Sequence, residues 1–228
     1  MKIILFGATG MVGHGVLREC LLAPDVEAVL AIGRTATGLA HPKLRELVQP
    51  AATDLAQVDP ALLEADACFY CLGVSAGGIS EAAYTRITYD LTLAAATVLA
   101  RLHPRMTFVY VSGAGTDSTE QGRSMWARVK GRTENALLRL PFHGTYLLRP
   151  GVIQPLHGFR SKTRAYRWFY GIARPLLPLL KVLLPNVVLS TEIVGRAMLA
   201  LARNGAPQPV LEAGAIRALG VGKQISSR

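Results

Sequence analysis

The sequence has few cysteines, no long apolar run at its start and few acidic residues in its last third. Three cysteines in 228 residues cannot form a disulfide framework, and this small, odd number favours a reducing compartment. The apolar run at residues 3–6 is too short for a secretion signal and leads directly into glycines. We therefore expect a cytoplasmic protein, with a peripheral membrane location as a further option that depends on the basic region described next.

Acidic residues are scarce, and their absence is concentrated in one region. Lys and Arg number 25 against 15 Asp and Glu, which gives a formal net charge of +10. No acidic residue lies between Glu134 and Glu192, whereas eight basic residues do. A charge of this size points to anionic partners and says little about the fold.

Within that region, residues 160–185 mix cations with aromatic and apolar side chains. The length of the apolar part and its prolines exclude a helix that spans a bilayer. Three interpretations stay open: a helical lid over a substrate cleft with its cations in solvent, a patch that binds an anionic membrane surface, and nucleic-acid binding through phosphates. No nucleic-acid module is recognisable, so we expect no nucleic-acid partner.

The sequence does contain a regular alternation of strand and helix patterns. Half of the residues are hydrophobic (50%), which is enough for one core, so residues 1–228 are predicted to form a single domain. The alternation predicts an α/β fold with a Rossmann-type doubly wound parallel sheet. The predicted strands are residues 2–6, 26–32, 46–48, 66–72, 107–111 and 145–148, and the predicted helices are residues 11–22, 80–102 and 123–140. Beyond Gly151 the alternation stops and only residues 191–203 are typical of a helix, so residues 151–205 are predicted to be a small C-terminal helical substrate or lid segment.

A glycine-rich turn directly follows the first predicted strand and opens the first predicted helix. Gly7, Gly10 and Gly13 have the spacing of a dinucleotide-binding turn. Glycines at these positions turn the chain sharply, let the backbone approach a pyrophosphate and let the helix pack on the strand. The helix N-terminus then offers N–H groups and the positive end of its dipole to the phosphates. The sequence therefore predicts a dinucleotide cofactor.

The residue after the second strand indicates which dinucleotide to expect. NAD enzymes usually place an acidic residue there for the ribose 2′-hydroxyl, whereas this chain has Arg34 and no acid nearby. Because a guanidinium would meet a 2′-phosphate, the expected cofactor is NADP. Asp54 and Leu55 are expected beside the adenine, and Gly73 is expected close to the cofactor ribose.

Cys68 and Cys71 match a Cys-x-x-Cys pattern, but they lie in a predicted strand, where residues three apart point to opposite faces. No second cysteine pair and no suitable histidine accompany them. We therefore expect no metal site and interpret the two cysteines as buried core thiols.

The order of several motifs resembles the short-chain dehydrogenase/reductase superfamily. The glycine turn is followed by Ser112 after a strand, by Lys130 in a helix and by Arg149-Pro150-Gly151 after a further strand. These motifs resemble an atypical, epimerase-like branch that includes the Tat-interacting oxidoreductase group and related bacterial NAD(P)-binding proteins. The resemblance implies an NADP-dependent carbonyl or alcohol oxidoreductase, with Ser112 on the substrate carbonyl and Lys130 on the nicotinamide ribose as the catalytic pair. Taken together, the expected cofactor-binding residues are Gly7, Thr9, Gly10, Met11, Val12, Gly13, Arg34, Asp54, Leu55, Leu72, Gly73, Lys130, Pro150, Gly151 and Val152.

The sequence departs from this superfamily at its catalytic tyrosine, whose position holds Trp126, four residues before Lys130. An indole N–H donates a hydrogen bond but cannot exchange a proton near neutral pH. Two hypotheses follow. Either another donor, such as Ser124, Tyr110 or a water chain, replaces the tyrosine, or the protein binds NADP without turnover and acts as a regulator or scaffold. If the protein is an enzyme, its substrate is expected to be an apolar small molecule in a cleft shaped by residues after Gly151.

Overall fold

Seven parallel strands form the central sheet in the computed structural model, which describes residues 1–156 and 188–222. These strands are β1 (Lys2–Phe6), β2 (Ala28–Gly33), β3 (Leu44–Val48), β4 (Ala67–Tyr70), β5 (Thr107–Val111), β6 (Gly144–Arg149) and β9 (Val210–Glu212). Their order across the sheet is β3-β2-β1-β4-β5-β6-β9, and every neighbouring pair is parallel. The doubly wound Rossmann-type α/β fold predicted from the sequence is confirmed.

Helices cover both faces of this sheet. They are α1 (Met11–Leu22), α2 (Glu81–Thr85), α3 (Leu91–Leu102), α4 (Met125–Leu138), α5 (Thr191–Asn204) and α6 (Ala213–Gly220), with a short 3₁₀ helix at Pro60–Leu63. The single helix predicted at residues 80–102 is divided, because a π-helical turn at Arg86–Asp90 separates α2 from α3. Its predicted start is correct, since the Ser80 side chain accepts a hydrogen bond from the Ala83 N–H at 3.3 Å and caps α2.

Successive strand residues point to opposite faces of the sheet, and they belong to two separate hydrophobic clusters, one on each face. Leu5 and Phe69 belong to the cluster covered by α1, α5 and α6, whereas Phe6 and Tyr70 belong to the cluster covered by α3 and α4. The Cys-x-x-Cys pair follows the same alternation, because Cys68 lies in the second cluster and Cys71 packs against the first. Among the described residues, no three His, Cys, Asp or Glu side chains form a group that could hold a metal ion.

The prediction that strands and helices cease to alternate after Gly151 is wrong. Strand β9 follows α5 and pairs in parallel with β6, and β7 (Val152–Gln154) pairs with β8 (Val188–Ser190) in a second, two-stranded sheet. These strands have only three residues each, too few to show an alternating pattern in the sequence. The helix predicted at residues 191–203 is present as α5.

Most of the predicted lid segment, and the basic region 160–185 with it, lies outside the described residues. The described parts of the segment are β7, β8 and α5, and β7 and β8 pair with each other. No helix in residues 1–156 or 188–222 is long and apolar enough to cross a membrane.

Candidate dinucleotide site

The strand order reverses between β1 and β4, and the glycine turn lies at this point. In sheets of this type, ligands bind in the crevice that such a reversal opens at the carboxyl edge. Gly7 follows β1 with a φ of +80°, a conformation that L side chains rarely adopt. A Cβ atom at Gly7 would lie 2.8 Å from the carbonyl carbon and oxygen of Cys71, just after β4. Only glycine lets these two strand ends approach so closely.

The rest of the turn brings the start of α1 to the same crevice. The Gly10 N–H donates to the Gly7 carbonyl at 2.9 Å, and a Cβ atom at Gly13 would lie 2.1 Å from that same oxygen. Gly10 is exposed and precedes the helix, and no side chain caps the helix N-terminus. The N–H groups of the first turn, which includes Met11 and Val12, are therefore left for an anion.

Arg34 lies at the same edge of the sheet, directly after β2. Its side chain is exposed, and it makes no ion pair with any described residue. The first acidic residue after β2 is Glu46, whose carboxylate accepts the Thr37 N–H at 2.6 Å. That contact holds the loop that follows Arg34. At the carboxyl end of β2, Arg34 therefore has no ion-pair partner among the described residues, and the Glu46 carboxylate binds the backbone of the loop.

Asp54 and Leu55, both expected beside the adenine, have different environments in the structure. Gln49, directly after β3, donates to the Asp54 carbonyl at 2.9 Å, and the Asp54 carboxylate is on the surface. The Leu55 side chain is 1% exposed and belongs to the core. After β4, Leu72 is half-buried and its backbone lies beside Gly7, whereas Gly73 is exposed.

Ser112 follows β5 and is held in a short network of hydroxyl groups. Its N–H donates to the Leu148 carbonyl at 2.7 Å, and its Oγ lies 3.1 Å from Thr116 Oγ1. Thr116 directs its only hydroxyl proton to the Gly113 carbonyl at 2.7 Å. Ser112 is therefore the donor to Thr116, and its own oxygen keeps its acceptor capacity.

Trp126 lies in the first turn of α4, against the loop that follows Ser112. A Cβ atom at Gly115 would lie 3.5 Å from Trp126 Cη2, so the indole ring packs on the backbone of this loop. Of the replacement donors weighed from the sequence, Tyr110 is 1% exposed, and burial raises its pKa well above the usual value. Ser124 is exposed and its hydroxyl forms no capping bond to α4. Tyr110 is thus a core residue, and Ser124 is the accessible hydroxyl of the two.

Lys130 is half-buried one turn further along α4. Its Nζ lies 5.6 Å from the centroid of the Tyr110 ring, and Tyr110 precedes Ser112 by two residues in the chain. Burial lowers the pKa of Lys130 from 10.5 to about 8, and the negative charge of Glu134 opposes this change. The structure therefore brings the two predicted catalytic residues to the same end of β5.

Sequence reasoning did not identify the ion pair between Glu134 and Arg149. Glu134 is 1% exposed, and Arg149 Nε lies 3.1 and 3.2 Å from its two carboxylate oxygens. The one hint in the sequence was that Glu134 follows Lys130 by four residues and so lies on the same side of the helix. This spacing draws attention to Glu134 but does not indicate Arg149 as its partner. Next to this pair, the Pro150 carbonyl accepts the Ala114 N–H at 2.9 Å, and the half-buried residues Gly151 and Val152 lead into β7.

A second cleft lies at the opposite, amino edge of the sheet. It has a volume of about 730 Å³, and its walls include Thr107 at the start of β5, Tyr146 and Arg203. None of the predicted cofactor or catalytic residues lines it. Among the described residues, the dinucleotide site and this cleft are therefore separate features.

The fold is that of known NAD-binding oxidoreductases and epimerases. The enzyme WbmF of Bordetella bronchiseptica, solved with NAD+, superimposes with a TM-score of 0.66 at 18% identity, covering 96% of this chain and 76% of that one. A short-chain dehydrogenase/reductase family oxidoreductase of Burkholderia thailandensis gives 0.62 at 18% identity, covering 97% and 93%. The UDP-glucuronic acid 4-epimerase of Bacillus cereus, solved with NAD, gives 0.64 at 13% identity, covering 92% and 77%. At these identities the likeness shows a shared fold, and the resemblance to the Tat-interacting group stays a prediction.

Sequence relatives identify the family more closely, although no protein-family model matches the chain. The mitochondrial protein fmp52-1 of Aspergillus oryzae is 32% identical over 167 residues, which cover 70% of this chain and 68% of that protein. The chain belongs to the FMP52 family. Another FMP52 protein, fmp52-2 of Aspergillus terreus, is 27% identical over 206 residues and covers 87% of this chain and 85% of its own length.

The expected cytoplasmic location is wrong. The FMP52 relatives are named mitochondrial proteins in several fungi. The expectation failed because a small number of unpaired cysteines indicates a reducing environment, and such an environment is not confined to the cytoplasm.

Proposed function

We propose that this FMP52-family chain binds a nicotinamide dinucleotide at the carboxyl edge of its sheet, between β1 and β4. The observation that carries the proposal is the glycine turn. Gly7 and Gly13 have no room for a Cβ atom, and the exposed Gly10 leads into a helix with no side-chain cap. A turn closed only by backbone contacts, with free N–H groups in front of it, fits a pyrophosphate.

The proposed cofactor is NADP in preference to NAD. Arg34 is unpaired with respect to the described residues, and a guanidinium binds a phosphate through two parallel hydrogen bonds. The nearest following carboxylate, that of Glu46, is already occupied by the Thr37 N–H at 2.6 Å. Glu46 lies inside β3, so among the described residues Arg34, and not a carboxylate, directly follows β2, where NAD enzymes usually place the acceptor for the ribose 2′-hydroxyl.

The proposed reaction is the interconversion of a carbonyl and an alcohol. When bound, the nicotinamide would supply or accept the hydride. Lys130 would donate to the cofactor ribose, and Ser112 would orient the oxygen of the substrate. Because Ser112 donates to Thr116 in this structure, its lone pairs accept from a substrate hydroxyl, whereas a carbonyl requires the Ser112 proton to rotate away from Thr116.

A specific observation favours a second candidate, an NADP-binding regulator or scaffold without turnover. Trp126 fills the position where the related enzymes carry tyrosine, and its ring packs against the loop after Ser112. It supplies no proton to the site. The cofactor-binding half could therefore act as a sensor of NADP while the chemical half is inactive.

The substrate side of the proposal rests on residues 151–205 as part of the same single domain. Within this segment, strands β7 and β8 pair in parallel, and α5 directly follows β8. We propose that the segment shapes a cleft for an apolar small molecule. A contribution of residues 160–185 to membrane binding is a separate proposal, which co-sedimentation with anionic vesicles tests directly.

Calorimetric titration with NADPH and then NADH tests the cofactor. We expect tighter binding of NADPH, and about a tenfold loss of NADPH affinity in Arg34→Ala with little change for NADH, as expected for one lost charge-assisted contact at an exposed site. Arg101→Ala is the matched control, since Arg101 is an exposed arginine at the other end of the sheet. Equal affinities in the unmodified protein would remove the assignment of Arg34. Binding of neither nucleotide would mean that the glycine turn is only structural.

A further inference from the structure

A buried ion pair joins Glu134, close to Lys130 on α4, to Arg149 on β6. Glu134 lies one helical turn after Lys130, so the two side chains share a face of α4. Arg149 occupies both carboxylate oxygens of Glu134 through Nε, and it contacts one of them through Nη2 as well. Within residues 1–156 and 188–222, Lys130 makes no ion pair of its own with this carboxylate.

Arg149 is held in place from three directions. Besides Glu134 on α4, its Nη2 donates to Ser118 Oγ at 2.6 Å, and its Nη1 lies 3.4 Å from a carboxylate oxygen of Glu212 at the end of β9. These contacts fix the guanidinium against the Glu134 carboxylate. The carboxylate therefore has a strong, immobile cation as a partner before any other group competes for it.

The other titratable groups around Lys130 carry no charge near neutral pH. The Tyr110 ring from β5 lies under Nζ, and Tyr70 from β4 lies 6.0 Å from Tyr110 between ring centroids. Tyr84 from α2 acts on the same Tyr110 hydroxyl. Burial raises the pKa of all three phenols, so they stay neutral. Among the described residues, Glu134 is thus the charged group that acts on Lys130 directly, and Arg149 acts on it through Glu134.

We propose that Arg149 is a positioning residue that sets the charge of Lys130 by holding the Glu134 carboxylate away from it. A carboxylate neutralised by a guanidinium stabilises a neighbouring ammonium group less than a free carboxylate does. Lys130 is then left with its N–H groups available at the crevice and with a proton that it releases readily. The proposal depends only on residues of this chain, and it stands or falls independently of NADP binding.

Trace acetylation with acetic anhydride, read by mass spectrometry as a function of pH, reports the uncharged fraction of each lysine. The exposed Lys2 serves as the internal reference. In Arg149→Met the carboxylate turns to Lys130, and we expect labelling of Lys130 at neutral pH to fall about tenfold, which corresponds to one pH unit in the midpoint. In Glu134→Gln the negative charge is lost, and we expect the labelling to rise several-fold, roughly the effect of a partial shift in the other direction.

The opposite signs of these two effects separate the proposal from a purely structural role. A pair that served only to hold α4 against β6 would loosen in both variants, and the two labelling profiles would move in the same direction. That result, or no movement in either variant, would overturn the proposal. Arg149→Lys keeps the cation and should retain the profile of the unmodified protein. If Arg149→Met does not fold, the contrast between Glu134→Gln and Arg149→Lys carries the test, because only the first should shift the midpoint.

Discussion

The two parts of the candidate site, at the ends of β1 and β5, are built by different means. At the end of β1, the glycine turn is closed by backbone atoms, and its function depends on the absence of side chains at Gly7 and Gly13. At the end of β5, the groups that matter are side chains, those of Ser112, Trp126 and Lys130, held by partners from other elements. The first part has the glycine geometry predicted for a dinucleotide site, whereas the second has Trp126 where the resemblance to the short-chain dehydrogenase/reductase superfamily implies a tyrosine.

This difference shows why cofactor binding and chemistry can diverge separately. A turn closed by backbone atoms is disrupted when Gly7 or Gly13 gains a side chain, because only a shift of the backbone can relieve the contact. A side-chain-built site can lose a single proton donor while its fold, its ion pair and its hydroxyl network persist. If the two parts are independent, a change at the end of β1 should affect cofactor binding and a change at the end of β5 should affect stability or chemistry.

The largest expected effect is a loss of stability when the buried ion pair near the end of β5 is broken. Glu134→Gln leaves Arg149, 12% exposed, without its buried anionic partner and with only the exposed Glu212 carboxylate at 3.4 Å, and loss of one member of a buried pair costs about 3–5 kcal/mol in the free energy of unfolding. Asp25→Asn is the matched control, because it removes an exposed pair in which Arg203 and Asp25 are 37% and 46% exposed. We expect less than about 1 kcal/mol there. Urea unfolding measures both, and equal losses would contradict the assignment of a buried pair.

The next effect tests the part built from backbone. A Cβ atom in Gly13→Ala would lie 2.1 Å from the Gly7 carbonyl oxygen, so the helix and the turn must separate. Overpacking of this kind costs about 1–3 kcal/mol, and we expect NADPH binding to be lost with it. Gly214→Ala, in α6, has no atom within 4 Å of the added Cβ and should be stabilising by up to about 1 kcal/mol. Unchanged NADPH affinity in Gly13→Ala would show that the turn does not form the site.

Trp126→Tyr tests whether a single residue separates binding from chemistry. A correctly placed general acid contributes about 100-fold or more to such a reaction, so we expect a gain of that order in NADPH-dependent reduction of apolar aldehydes and ketones. Trp126→Phe is the control, since it changes the ring without adding a hydroxyl. No gain in the tyrosine variant over the phenylalanine variant would favour the regulator. Brisk reduction by the unmodified protein would instead exclude the regulator and point to another donor, with Ser124 as the first to test.

The sequence predicted the parts of the fold that local chemistry determines. The bounds of β1, Lys2–Phe6, and of α1, Met11–Leu22, agree with the prediction because Gly7 and Pro24 stop these elements sharply. The alternation of strands and helices was enough to give the parallel sheet. The placement of Cys68 and Cys71 on opposite faces of the sheet was predicted by the two-residue period of a strand.

What the sequence did not predict depends on contacts between distant residues. Strand β9 has three residues, and only its position beside β6 makes it a strand. The pairing of Glu134 with Arg149 joins a helix to a strand and has no local pattern. Leu55 was expected at the adenine because it follows β3, but the chain turns there and places its side chain in the core. The roles of individual residues toward the cofactor stay predictions for the same reason.

The smallest expected effect is the pH dependence that Lys130 gives to two quantities, the free energy of unfolding and the NADPH affinity, which should change in opposite directions. Because the pKa is lowered from 10.5 to about 8, the unfolded chain binds one more proton than the folded chain between these values. The free energy of unfolding should therefore rise with pH across this window, by a modest amount since Lys130 is half-exposed. NADPH affinity should fall over the same window, since the uncharged amine is a weaker donor to the ribose. Lys130→Met should lack both slopes, and the difference between the two proteins cancels the titration of every other group. An NADPH affinity that stays constant with pH while the free energy of unfolding rises would show that Lys130 titrates without contacting the cofactor, and the part of the site at β5 would then be independent of NADP binding.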